Sequence, residues 1–74
     1  MDNKKSNFKR ISENRVSKIL TLLQQLTNLS NFSFYEYTAD DIEKIFNIIE
    51  HEVQITKDIL IKAYDKRKNI KFEL

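Results

Sequence analysis

His51 is the side chain best suited to move a proton near neutral pH, and Glu50 and Glu52 flank it in the sequence. General acid–base work needs such groups to converge on one point, whereas neighbours along a helix point to different faces. On the period of the surrounding segment His51 falls nearly opposite the apolar seam, which reads as a solvated histidine. A lone histidine in a chain without cysteine also falls short of a zinc ligand set. No cysteine can act as a nucleophile, no serine stands near a plausible base, and no glycine loop can cradle a phosphate. The expectation is a protein that is not an enzyme, with no metal, no cofactor and no small-molecule substrate.

Binding chemistry has more to work with. Arg10, Asn14 and Lys18 recur at four-residue steps, and Lys4 and Lys5 precede them. Lys66, Arg67, Lys68 and Lys71 form a second basic set near the other end of the chain. Such clusters supply salt-dependent affinity for phosphates, so these residues are candidate nucleic-acid contacts. A solvated basic end matched to a helix dipole accounts for the same pattern. Against a nucleic-acid role stand a net charge of only +2 and an acidic stretch between the two basic ones. Residues 1–18 carry a net +4, residues 19–35 no charge, residues 36–58 a net −5 and residues 59–74 a net +3. The acids Glu43, Glu50 and Asp58 offer a surface for a basic partner. Asp40 with Lys44, and Asp58 with Lys62, have the spacing of ordinary helical ion pairs.

The elements that carry these groups follow from apolar spacing. Phe8, Ile11, Val16, Ile19, Leu20, Leu22, Leu23, Leu26 and Leu29 recur at three- and four-residue steps and predict a first helix over about residues 7–29. Within it, Val16, Ile19, Leu23 and Leu26 make a coiled-coil-like seam. Asn28, Ser30, Asn31 and Ser33 favour a turn, giving a connection over 30–37. That connection is aromatic: Phe32, Phe34, Tyr35 and Tyr37 are candidates for closing the end of a core or for filling a partner's pocket. Thr38 and Asp41 have the spacing of a capping box, with Tyr37 and Ile42 at staple positions, and start a second helix that runs to about residue 68. Asp40, Asp41 and Glu43 suit the positive end of its dipole. Residues 69–74 alternate polar and apolar and are expected to fray or to dock loosely.

The second helix carries one apolar seam through Ile42, Phe46, Ile49, Val53, Thr56, Leu60 and Ala63, with Ile45 and Tyr64 beside it. Ile48, Ile55 and Ile59 lie about 120° away from that seam, at 100° per residue. One neighbouring helix cannot cover both stripes. In a chain of 74 residues without disulfides the natural resolution is a second packing partner, a second copy or another protein. The expected fold is all-α: one domain, an antiparallel two-helix hairpin that dimerises into a four-helix bundle. No stretch reaches the roughly 18 apolar residues of a membrane span, and no signal-peptide pattern precedes the first helix, so a cytoplasmic protein that does not engage membranes is expected.

Two resemblances add to this reading. The segment from Leu20 to Leu29, Leu-Thr-Leu-Leu-Gln-Gln-Leu-Thr-Asn-Leu, resembles the first helix of the Rop family of plasmid copy-number proteins. The resemblance implies a hairpin that dimerises and grips paired RNA stem-loops with its first helices. The RNA-facing positions would then fall on Arg10, Asn14, Lys18 and Gln25, with Asn14 at a position the family fills with phenylalanine. Asn28-Leu29-Ser30-Asn31, Tyr35-Glu36-Tyr37-Thr38 and Asp41-Ile42-Glu43-Lys44-Ile45-Phe46 resemble small proteins of Gram-positive phages, plasmids and mobile elements. That likeness implies a mobile-element accessory protein and brings no assigned activity with it; the acids Glu43, Glu50 and Asp58 suggest that such a protein would bind and modulate a host protein, such as a defence nuclease. Three roles thus stand open: a protein-binding module with Ile48, Ile55, Ile59, Phe32, Phe34 and Tyr35 at its interface, a nucleic-acid-binding regulator, and a structural or assembly subunit.

Overall fold

The computed structural model describes residues 3–70, and their side chains through Arg67. The described residues are all-α, with two long helices, one short 3-10 turn and no strand. They divide into two units that part between Glu36 and Tyr37.

The first unit is built on helix α1, Asn3–Leu26. It is about 36 Å long at 1.5 Å per residue. It begins four residues before the apolar spacing starts it, because Lys4, Lys5 and Ser6 extend the helix by backbone propensity without adding to an apolar face. Its first turn holds no acid, so Lys4 and Lys5 sit at the dipole end that disfavours them. Hydroxyls reach back along the helix: Ser12 donates to the Lys9 carbonyl at 3.2 Å and Thr21 to the Ser17 carbonyl at 3.0 Å.

The α-helix ends at Leu26, not near Leu29, and Thr27–Ser30 continue as a 3-10 turn. The Thr27 hydroxyl donates to the Gln24 carbonyl at 2.6 Å, drawing an acceptor at the helix end into a side-chain bond. Such competition tightens a last turn from i→i+4 to i→i+3 bonding. Asn31 then leaves the helix with an extended backbone, φ −80° and ψ 105°. Its side-chain oxygen accepts from the Ser33 amide at 2.9 Å, and its carbonyl accepts from the amides of Phe34 and Tyr35, both at 3.0 Å. An asparagine-centred turn of this kind forms without a left-handed residue, and none of the described residues has a positive φ.

The second unit is built on helix α2, Ala39–Ile70, about 48 Å long by the same rise. Its start is a reciprocal cap. The Asp41 amide donates to Thr38 Oγ1 at 3.1 Å, and the Thr38 amide donates to Asp41 Oδ2 at 2.9 Å. The Thr38 carbonyl accepts the first helical bond from Ile42 at 3.2 Å. Asp40 and Asp41 occupy the first turn, where negative charge is favoured. Tyr37, at the staple position, is half-buried. At the far end Asn69 and Ile70 are helical, so α2 runs two residues beyond the expected end into the segment expected to fray. The rest of that segment, residues 71–74, lies outside the described residues.

Among the described residues no side chain is fully buried. Leu23 and Leu26 on α1 and Ile49 on α2 are half-buried, and all three belong to the apolar seams.

Candidate interaction surfaces

The apolar surface of α2 is wide. Ile48 is 69% exposed, Ile59 61% and Ile55 38%, and the three share one face of the helix. Around the same helix Ile42, Phe46, Val53 and Leu60 make the other apolar stripe and are also exposed. Together with Ile45 between them, the two stripes span about half the circumference at 100° per residue. Ile61, 45% exposed, belongs to neither stripe and stands on the polar side.

Phe32, Phe34 and Tyr35 gather on the turn after α1. Phe34 is 79% exposed, and its ring lies 6.5 Å from that of Tyr35 at an interplanar angle of 60°, a tilted aromatic pair. The hydrogen bonds around Asn31 hold the backbone that presents these rings, so they project from a defined turn.

The candidate nucleic-acid contacts fall in both units. Lys4, Lys5, Arg10, Asn14 and Lys18 lie along α1 and are exposed. Arg10, Asn14 and Lys18 share a face, and the Arg10 guanidinium donates to Asn7 Oδ1 at 3.3 Å. Lys66 and Arg67 are exposed on the last turns of α2, and Lys68 follows them there. Lys71 lies outside the described residues. The acids Glu43, Glu50 and Asp58 are exposed along one side of α2.

The expected ion pair of Asp40 with Lys44 is present at 3.1 Å. Asp58 behaves differently: its carboxylate accepts from Gln54 Nε2 at 3.0 Å, where the spacing pairs it with Lys62. Gln54 and Lys62 each stand four residues from Asp58, and the amide contact is the one formed. Lys9 and Glu13 form a further pair at 3.8 Å that sequence spacing also allows. These contacts are surface-exposed and contribute little individually.

His51 is exposed. Among the described residues no group of three or more His, Cys, Asp or Glu gathers where a metal could sit. A shallow depression on α1 is lined by Ser12, Glu13, Val16 and Ser17. There the Ser12 hydroxyl donates to the Lys9 carbonyl and Glu13 pairs with the Lys9 ammonium. No helix of the described residues is long and apolar enough to cross a membrane.

One residue escapes a reading by residue type. Glu52 lies inside the apolar half of α2, with Ile48, Ile49 and Ile45 before it and Ile55 and Ile59 after it. The signal was its heptad spacing from Ile45 and Ile59, which marks an interior position whatever residue fills it. No protein-family model, curated protein or solved structure matches this chain.

Proposed function

We propose that this chain is a non-catalytic helical interaction module: an antiparallel hairpin that dimerises into a four-helix bundle and acts by binding another macromolecule. The observation that carries the reading is the pair of exposed apolar stripes on α2, a surface that one neighbouring helix cannot cover. Burying an isoleucine is worth roughly 1.5–3 kcal/mol, so a small domain has much to gain from covering Ile48, Ile55 and Ile59. In this arrangement α1 covers the first seam and a second copy covers the other. The aromatic turn and the acidic side of α2 are left for the target. That target is a host protein with a basic surface, such as a defence nuclease, bound by an accessory protein of a phage or plasmid.

The test is the solution mass of wild type beside Ile55→Glu by light scattering, with helicity followed by circular dichroism. A wild-type dimer and a helical or unfolded monomeric variant support the reading. Two equally stable monomers reject the dimer and return the stripe to a foreign partner. Reversing charge at Glu43, Glu50 and Asp58 together tests the target: partner capture that survives the reversal removes the acidic face from the account.

A second reading is favoured by the shared exposed face of Arg10, Asn14 and Lys18. On it the chain is a nucleic-acid-binding regulator of the Rop kind, with the basic residues of both helix ends at one pole. Binding to structured RNA that weakens steeply with salt and is lost in Arg10→Ala with Lys18→Ala supports it.

A further inference from the structure

Ile45, Ile48, Glu52, Ile55, Ile59, Lys62 and Lys66 follow one another along α2 at alternating steps of three and four. That is a heptad seam of the kind that faces a neighbouring helix. Its interior positions are not all apolar, and the order of the exceptions is informative: one acid, two isoleucines, then two bases. Glu52 and Lys62 are exposed and make no ion pair among the described residues. A charge at an interior position of a seam specifies register, because only some alignments give it an opposite charge.

We propose that this seam is closed by α2 of a second copy running antiparallel, in the register that sets Glu52 opposite Lys62 of the other copy. The inference rests on the dimeric reading above and adds the alignment. Setting Glu52 against Lys62 also sets Ile55 against Ile59, and Ile48 against Lys66. By two-fold symmetry the centre is then a cluster of the two Ile55 and two Ile59 side chains, closed at each end by a Glu52–Lys62 pair. The aliphatic stem of Lys66 lies over Ile48 with its ammonium in water. A slip of one heptad one way puts Glu52 against Ile55, burying two unpaired carboxylates. The opposite slip spends Ile55 and Ile59 on Lys66 and Lys62. A parallel pair sets Glu52 on Glu52, Lys62 on Lys62 and Lys66 on Lys66, three like-charge layers. The occupant is a second copy because the chain itself carries the complement of its own charge order.

The experiment uses full-length Glu52→Lys and Lys62→Glu chains, alone and mixed, with an affinity tag on one. Self-association is read by sedimentation equilibrium and helicity by circular dichroism. Each variant alone places like charges in the two end layers and is expected to self-associate at least about tenfold more weakly than wild type. Mixed, the two restore opposite charges in both layers, so the tagged chain captures the other with an affinity close to wild type. The double variant Glu52→Lys/Lys62→Glu restores both layers within one sequence and regains the homodimer, which separates lost pairing from lost folding. Single variants that associate as strongly as wild type overturn the antiparallel register while leaving a dimer standing. A double variant or mixture as weak as the singles does the same. A wild type that sediments as a monomer overturns the register and the dimeric reading together.

Discussion

Ile59 and Ile61 provide a matched pair for testing whether the second stripe of α2 is an interface. They are the same residue type two positions apart, both exposed at 61% and 45%, on faces about 160° apart at 100° per residue. Truncation to alanine removes the same atoms and gives the same small gain in helix propensity at both. Full burial of the removed carbons is worth roughly 2.4 kcal/mol, at about 0.8 kcal/mol per CH2. Scaled by the 61% of Ile59 still open to solvent, this comes to about 1.5 kcal/mol per copy and about 3 kcal/mol per symmetric dimer. At 1.4 kcal/mol per tenfold, Ile59→Ala weakens self-association by roughly 150-fold. Ile61→Ala is expected to leave it within about threefold, since its face is the polar one. Sedimentation equilibrium across a range of protein concentrations reads both constants, and circular dichroism checks that each chain keeps its helices. Equal shifts for the two variants, or none for Ile59→Ala, refute the idea that the stripe is covered in the assembled protein.

Other outcomes follow from local chemistry. Thr38→Ala deletes the acceptor for the Asp41 amide and should cost about 1 kcal/mol, lowering the thermal midpoint by roughly 4–8 °C, while Thr38→Ser should restore most of it. Asn31→Ala removes the acceptor for the Ser33 amide and should speed hydrogen exchange at Ser33 more than at Phe34 or Tyr35, whose amides bond to the backbone carbonyl; equal acceleration at all three would count against a side-chain-built turn. Lys44→Ala should change stability by less than about 0.5 kcal/mol, a difference that fades with added salt, because its pair with Asp40 is exposed. Arg10→Ala with Lys18→Ala should leave the solution mass unchanged while abolishing the salt-sensitive RNA binding that the regulator reading expects.

What the sequence made legible is what local chemistry decides. The start of α2 is visible because Thr38, Asp41 and the acids of the first turn all bear on the same backbone groups. The start of α1 is not, because Lys4, Lys5 and Ser6 extend a helix without marking a face, and periodicity sees only faces. Leu29, an apolar residue on the right period, places the end of α1 too late. The backbone turned earlier because Thr27 had bonded a carbonyl of the last turn. Asparagine and serine announced the connection, but not that a single residue, Asn31, takes three of its hydrogen bonds. The exposed stripe of Ile48, Ile55 and Ile59 was legible from the 100° period. Glu52 was not, since charge suggests exterior while heptad position suggests interior. A period names the face a residue is on; it does not name what lies against that face.

The faces of α2 nevertheless constrain that occupant. At 100° per residue, Ile42, Phe46, Val53 and Leu60 centre on one direction and Ile48, Ile55 and Ile59 on a second about 120° away. Glu43, Glu50, Asp58 and Asp65 centre on a third, about 120° from both, and all four acids are exposed. A helix in a four-helix bundle touches two neighbours and turns one side to water, so two apolar faces and one charged face are what that position asks of a sequence. A helix lying on a single partner needs one apolar face, and a helix inside a large core needs three. On the bundle reading the acidic face is the part of α2 left to meet a target, and the basic face of Arg10, Asn14 and Lys18 is the part of α1. The two readings of function therefore act through different residues on a shared scaffold. Variants at Ile59 test the scaffold, those at Glu43, Glu50 and Asp58 the protein target, and those at Arg10 and Lys18 the nucleic-acid target. An effect confined to one set identifies which face the molecule works with.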